Sequence, residues 1–88
     1  MNFHVEFDKS VYKYLSKLDK YTTKMLLNWI EDRLENCENP RIYGKALSSN
    51  LAGLWRYRVG DYRIIAKIID EKIIVLIIAI GHRKDIYK

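Results

Sequence analysis

Four basic residues lie close together in two short runs rich in aromatic and β-branched residues, separated by the pair Gly60-Asp61. A two-residue connection with glycine first is typical of a tight β-hairpin turn, because glycine readily adopts positive φ. Side chains alternate between the two faces of a strand. The pattern therefore predicts one face of a hairpin that carries Arg56, Arg58, Arg63 and Lys67.

This arrangement predicts that Arg58 lies directly opposite Arg63. Like charges in that position destabilise a sheet, so stability alone does not explain them. A single cation on a strand is most simply a solvated side chain, but four on one face indicate a site for a polyanion. The fixed fork of donors on arginine suits phosphate groups.

The positive charge of the chain is unevenly distributed. The net charge is +5, and between positions 41 and 67 the only acidic residue is Asp61. Such a local positive field favours a nucleic acid or an acidic protein as partner. We expect Arg41 and Lys45, in the irregular segment before the hairpin, to extend the same basic surface.

The C-terminal part of the chain also points toward the hairpin. The run Ile73 to Ile80 contains no polar residue, which predicts an internal strand buried on both faces. An antiparallel return beside the hairpin would bring His82, Arg83, Lys84 and Tyr87 to the cations. His82 is a proton-transfer group or a structural residue, and Tyr87 either stacks on a base of a bound nucleic acid or anchors the chain end by packing.

The remaining residues predict the scaffold. Apolar residues alternate from Phe3 to Phe7, which indicates a strand. Two amphipathic helices follow, the first capped near Asp8 or Ser10, and the second ends before Pro40. The predicted fold is α+β, a single domain over residues 1–88. It has an N-terminal strand, a helical hairpin, and a three-stranded antiparallel meander with the helices packed on one face.

Composition excludes several classes of protein. The chain contains one cysteine, Cys37, so an internal disulfide is impossible and a cysteine-based metal site is not expected. We expect no metal and no cofactor, and a reducing cytoplasmic location. The N-terminus lacks the pattern of a signal peptide. The longest apolar run is too short to span a bilayer, so we expect no membrane association.

Several spaced motifs together resemble a known family: 54–65 (LWRYRVGDYRII), 81–87 (GHRKDIY), 39–41 (NPR) and 44–47 (GKAL). The chain resembles, over essentially its whole length, the RelE branch of the RelE/ParE superfamily of bacterial toxin–antitoxin toxins. The resemblance implies a RelE-like fold and a ribosome-dependent endoribonuclease that cuts translated messenger RNA in the decoding site. Cleavage would proceed without metal, by attack of the 2′-hydroxyl group on the phosphate, and would inhibit translation.

The resemblance also implies the partners. These are the ribosome, its message, and a cognate RelB-like antitoxin whose acidic or amphipathic segment covers the basic sheet face. The toxin–antitoxin complex would also be able to bind operator DNA.

Carried over residue by residue, the family's functional positions fall on Arg56, Arg58, Arg63, Arg83 and Tyr87. The best-known RelE proteins carry lysine where this chain has Arg56 and Arg58. Arginine remains protonated in proteins and is a poor general base.

The candidate roles follow from that chemistry. The candidate catalytic residues are Arg58, Arg63, His82, Arg83 and Tyr87, with the arginines stabilising the phosphorane and His82 as candidate proton acceptor. The candidate RNA- and phosphate-binding residues are Arg56, Lys67, Arg41, Lys45 and Lys84.

Two other functions fit the same residues. A ParE-like toxin would inhibit DNA gyrase by binding and would leave RNA intact. A non-catalytic basic module would only bind phosphate groups. Cleavage of ribosome-bound message distinguishes the endoribonuclease from the ParE-like toxin and from the non-catalytic module.

Overall fold

The computed structural model describes residues 1–86, so Tyr87 and Lys88 lie outside the described residues. The strands are β1 (His4–Phe7), β2 (Lys45–Ala46), β3 (Trp55–Val59), β4 (Tyr62–Ile69) and β5 (Ile74–His82). They form one five-stranded sheet in the order β1-β5-β4-β3-β2. β1 pairs in parallel with β5, and the other neighbours are antiparallel.

The two helices are α1 (Lys9–Ser16) and α2 (Lys20–Arg33). Each begins at an aspartate whose carboxylate accepts a backbone N–H: Ser10 donates to Asp8 and Thr22 donates to Asp19, both at 3.0 Å. Such caps satisfy otherwise unpaired donors of the first turn. Only three residues separate α1 from α2, so the two helices form the helical hairpin that the sequence predicts.

The core lies between the helices and one face of the sheet. It contains Val11, Leu15, Leu26, Ile30, Leu34, Tyr57, Val59, Ile64, Ala66, Val75, Ile77 and Ile80. The strand residues among them share one face. A register irregularity opposite Ile65 and Ala66 keeps Ile77 and Ile80 on that face although they are three residues apart. We call the opposite face, which carries Arg56, Arg58, Arg63 and Lys67, the outer face.

The predicted α+β fold is confirmed, with two differences. β2 was not predicted, because a strand of two residues leaves no periodic signal. The prediction that β5 is buried on both faces is wrong. Val75 and Ile77 are fully buried, whereas Leu76 and Ile78 on the outer face are only half-buried, because the helices cover one face alone. Within residues 1–86, no helix is long and apolar enough to cross a membrane.

Candidate nucleic-acid interface

The β3–β4 hairpin turns at Gly60-Asp61, as the sequence predicts. Gly60 has a φ of 58°, the left-handed region in which a side chain is strained. The pairing registers Arg58 with Arg63 and Arg56 with Ile65. This register places the two β3 arginines on the outer face.

The short strand β2 adds a further cation to this face. Lys45 pairs directly with Arg56 across β2 and β3. Lys45 and Arg58 are exposed and Arg56 is half-buried. Within residues 1–86, none of these three side chains forms an ion pair. We call Lys45, Arg56 and Arg58 the cationic cluster; its like charges are uncompensated and attract an anion.

Arg56 has a specific deficit within the cluster. Its Nε atom is buried and has no hydrogen-bond partner among the described residues. A buried unpaired donor typically costs ~1–3 kcal/mol, and native proteins rarely leave one without a reason. Because this atom is closed off from solvent, an external phosphate does not reach it in this conformation.

Arg63 is on the predicted face but is not presented to solvent. Its side chain is buried, with 9% of the residue exposed. Nη1 donates to the carbonyl oxygens of Gly60 at 3.2 Å and Tyr62 at 3.0 Å. The expectation that Arg63 is an open phosphate ligand therefore needs correction, because its guanidinium group braces the hairpin turn from inside.

Arg41 also differs from its predicted role. Its guanidinium donates to both carboxylate oxygens of Asp70, at 3.0 and 2.7 Å. It also lies 5.7 Å from the centre of the Trp55 ring. The hydrogen bonds from Arg41 hold the pKa of Asp70 below its usual range. Arg41 thus fastens the loop before β2 to the β4–β5 turn and is not held ready for phosphate.

Lys67 borders the cationic cluster, and Lys84 follows Arg83. Because Arg56 pairs with Ile65, Lys67 is its diagonal neighbour on β4, roughly 7–8 Å away. Lys67 is exposed and pairs with Leu76. It is four residues beyond Arg63 on β4, a separation of about 13 Å. Lys84 is exposed, and only its backbone N–H has a described contact, at 3.2 Å from Nδ1 of His82. Within residues 1–86, neither lysine forms an ion pair.

Arg83 is brought to the end of the hairpin, where the sequence predicts it. Its backbone N–H donates to the carbonyl oxygen of Asp61 at 2.7 Å, and its Nε lies 3.6 Å from the Asp61 carboxylate. The side chain remains 55% exposed. Arg83 and Arg58 therefore flank the same turn, and Arg83 has an exposed, weakly held guanidinium.

His82 is not brought together with the arginines. It pairs with Tyr62, one register position from the pair Arg63 and Gly81. Side-chain alternation thus places the imidazole on the helix-covered face, where its ring meets the edge of the Tyr62 ring at 5.6 Å. Nδ1 accepts the backbone N–H of Lys84. The expectation that His82 reaches the phosphate held by the arginines is corrected, because the sheet separates them.

Two further points concern the predicted site. Tyr87, the remaining candidate catalytic residue, lies outside the described residues. Among the residues that the structure does describe, no group of three or more His, Cys, Asp or Glu side chains could hold a metal ion.

Sequence reasoning missed Tyr43 and Ile42. Both are large and exposed, at 40% and 67%. With Gly44, Lys45, Arg56 and Arg58 they line a pocket of about 280 Å³. We call it the β3 pocket. An isolated aromatic residue in a loop carries no periodic signal, so only the position of Tyr43 beside the cationic cluster reveals it.

Several known proteins are similar to this chain in both sequence and fold. Over residues 5–87 the chain matches the family described as ParE toxin of type II toxin-antitoxin system, parDE. It is 43% identical over 49 residues to toxin RelG of Mycobacterium tuberculosis. That alignment covers 56% of each chain, little more than half of the relative's length.

Two solved structures are similar over nearly the whole chain. A chain in the crystal structure of the toxin–antitoxin complex RelBE2 from Mycobacterium tuberculosis matches with a TM-score of 0.85 and 29% identity, over 97% of this chain and 95% of that one. A mutant of the Escherichia coli toxin RelE in the free state matches with a TM-score of 0.76 and 25% identity, over 99% and 90%. The chain therefore belongs to the ParE toxin family of type II toxin–antitoxin systems, within the RelE/ParE superfamily.

Proposed function

We propose that this chain is the toxin of a toxin–antitoxin module and acts as a ribosome-dependent endoribonuclease on translated messenger RNA. The observation that carries the proposal is the cationic cluster, which has no ion pair within residues 1–86 and lies on the face that the helices leave open. Membership of the toxin family and similarity to RelE structures support it. This target requires a cytoplasmic location.

The proposed chemistry is an intramolecular transfer at phosphorus. The 2′-oxygen forms a bond to the adjacent phosphorus, and the bond to the 5′-oxygen breaks. The products are a 2′,3′-cyclic phosphate and a 5′-hydroxyl end. Arg58 and Arg83 stabilise the negative charge that develops on the phosphoryl oxygens, while Arg56 holds the RNA backbone. Placement of fixed positive groups around the transition state is the main contribution of this surface.

Proton transfer has to come from elsewhere. The 2′-hydroxyl loses a proton and the leaving 5′-oxygen gains one, but arginine stays protonated and cannot accept it. His82 lies across the sheet from Arg58. We therefore assign the proton transfers to solvent or to ribosomal groups, with Tyr87 as the candidate from this chain.

The outer face also suits an antitoxin. Half-buried apolar residues of β5, among them Leu76 and Ile78, lie on the same face as the cations. An amphipathic antitoxin segment with acidic and apolar side chains would cover both kinds of surface. The similar RelBE2 structure is a toxin–antitoxin complex, which supports a partner of this kind.

Primer extension on ribosome-bound message tests the nuclease function. Purified toxin should produce new 5′ ends within translated codons when ribosomes are present and none on the same RNA alone. The Arg58→Gln variant should yield few such ends. Intact message on ribosomes, under conditions where the chain still arrests growth, would refute the nuclease assignment.

A ParE-like activity is the second candidate, because the matching family is described as ParE toxin. In that case the chain would inhibit DNA gyrase by binding. A gyrase supercoiling assay with the purified chain separates the two functions. Inhibition of supercoiling together with uncut message would favour the ParE-like function.

A further inference from the structure

The segment from Pro40 to Tyr43 forms a short 3-10 turn that is fixed to the body of the protein. The hydroxyl group of Tyr57 donates to the carbonyl oxygen of Pro40 at 2.9 Å. The two hydrogen bonds between Arg41 and Asp70 provide a second attachment. The turn is thus held at both a buried and an exposed point.

Gly44 brings the end of this turn against β3. A Cβ atom at Gly44 would lie 2.8 Å from the Arg56 carbonyl oxygen and 2.8 Å from the Tyr57 ring. Only a residue without a side chain permits this approach. As a result, the turn forms a fixed wall of the β3 pocket, and Tyr43 remains 40% exposed on that wall.

The β3 pocket combines two chemistries. An aromatic ring and the aliphatic side chain of Ile42 offer apolar surface, while Lys45, Arg56 and Arg58 supply positive charge. Proteins bind single-stranded nucleic acid by stacking bases on aromatic rings and pairing phosphates with cations. Its volume of about 280 Å³ is slightly below the ~300–1,000 Å³ of pockets for drug-sized ligands. A single nucleotide suits this space.

We propose that the β3 pocket binds one unpaired nucleotide of the message, with its base against Tyr43 and its phosphate at Lys45 and Arg56. This inference rests on the proposed RNA-cleaving function. Arg56 and Arg58 are two residues apart on β3, about 6.8 Å. The bound nucleotide is therefore a neighbour of the one cleaved at Arg58, and the pocket contributes to the choice of cleavage position.

RNA suits the pocket better than an acidic antitoxin segment does. The carboxylates of an antitoxin segment would pair with the cations and its apolar side chains would pack on the ring, but these groups come from separate residues. A nucleotide joins in a single unit a flat base that stacks on the ring and a phosphate that pairs with the cations. The antitoxin remains a distinguishable result of the experiment.

The experiment measures cleavage of ribosome-bound message by Tyr43→Leu, Tyr43→Phe and a control, Tyr21→Leu, which removes an exposed tyrosine of α2. At limiting toxin, Tyr43→Leu should cleave about 5- to 150-fold more slowly, the range expected for loss of one base–aromatic stack. Tyr43→Phe should restore the rate. At saturating toxin the defect should shrink, because the pocket binds RNA without touching the reacting atoms.

Messages with a single abasic position locate the base. When the abasic position is the one whose base binds Tyr43, the wild type should cleave as slowly as Tyr43→Leu cleaves the intact message. Tyr43→Leu should cleave this abasic message no more slowly than it cleaves the intact one. A cleavage rate of Tyr43→Leu equal to that of the wild type would overturn the proposal. An equal defect of Tyr43→Leu on every abasic message would also overturn it, as would weakened antitoxin binding with unchanged cleavage.

The pocket can also be tested if the proposed RNA-cleaving function proves wrong. If the wild type cleaves no message, the pocket is tested directly by titrating a 2′-O-methylated trinucleotide against the protein and following the Tyr43 ring by NMR. Shifts at the Tyr43 ring, together with weaker binding of the trinucleotide to Tyr43→Leu than to the wild type, would support the binding site even then. An unperturbed Tyr43 ring would overturn it.

Discussion

Arg58 and Arg63 are directly opposed across the β3–β4 hairpin, yet only Arg58 is exposed. Arg63 turns back toward the carbonyl oxygens of Gly60 and Tyr62. The backbone places the two side chains as equivalent neighbours, but their surroundings give them different roles. Arg58 is available to a ligand, whereas Arg63 supports the turn that positions it.

Replacement of Arg58 should separate activity from stability. Arg58→Gln should lower single-turnover cleavage about 100- to 1,000-fold, the usual loss for a group that stabilises developing charge. Its melting temperature should hold or rise slightly, because a like-charge pair is relieved. Lys20→Gln removes an exposed cation of α2, away from the outer face, and should cleave nearly normally. A large loss of thermal stability in Arg58→Gln would contradict this assignment.

Replacement of Arg63 should lower the stability of the protein, in contrast to replacement of Arg58. Arg63→Gln should lower the free energy of unfolding by roughly 1–3 kcal/mol, because charged hydrogen bonds to backbone carbonyls are lost in a buried place. Urea denaturation of both arginine variants provides the measurement. If Arg63→Gln unfolds like the wild type, the hydrogen bonds to Gly60 and Tyr62 are not structural.

The ion pair between Arg41 and Asp70 can be distinguished from a phosphate contact. As a loop anchor, it predicts that Arg41→Gln and Asp70→Asn both reduce cleavage, by up to about 100-fold, since small displacements near a reacting centre have such effects. Glu71→Gln is the matched control, an exposed neighbouring acid. If Arg41 instead bound phosphate, Asp70→Asn would release it and cleavage would increase.

His82 should prove dispensable for the chemistry. His82→Gln is expected to retain cleavage within a few-fold of the wild type, with the same pH–rate profile, because the imidazole lies on the helix-covered face beside Tyr62. A general base would cost about 100- to 10,000-fold when removed. A loss of that size with an altered pH profile would restore His82 as a catalytic residue.

Glu35, two residues after the end of α2, makes a contact with β1 that we expect to be sensitive to acid. Its carboxylate accepts the backbone N–H of Val5 and contacts His4, each at 3.0 Å. The Val5 N–H foremost, and then His4, hold the pKa of Glu35 below its ordinary value of 4.5. As pH falls, Glu35 of the unfolded chain is therefore protonated before Glu35 of the folded protein. The stabilisation of the fold by the Glu35 carboxylate is complete above pH 4.5 and is lost as pH falls through the lowered pKa of the folded state.

Thermal melting across the acid range checks this dependence. Glu35→Gln should be less stable than the wild type near neutral pH, and the difference should narrow below pH ~4.5 as the wild-type carboxylate is protonated. Glu38→Gln removes an exposed carboxylate without a described hydrogen bond and should follow the wild type. Parallel curves for Glu35→Gln and the wild type would contradict the prediction.

Local patterns were enough to predict much of the fold. The Gly60-Asp61 turn gave the register of Arg58 with Arg63, because a two-residue turn admits few pairings. The apolar period of the helices and the Asp8 cap follow equally from short-range chemistry. The burial of β5 was overestimated, since an uninterrupted apolar run does not reveal whether a second layer covers it.

The sequence by itself determined that several cations occupy one face of a small α+β domain, because alternation along a strand is a property of the backbone. The tertiary structure alone decided which cations are available. Arg41 is engaged by Asp70, and Arg63 is buried at the turn. These outcomes depend on contacts between residues far apart in the chain, or on how a side chain folds back over the surface, and no local pattern encodes them.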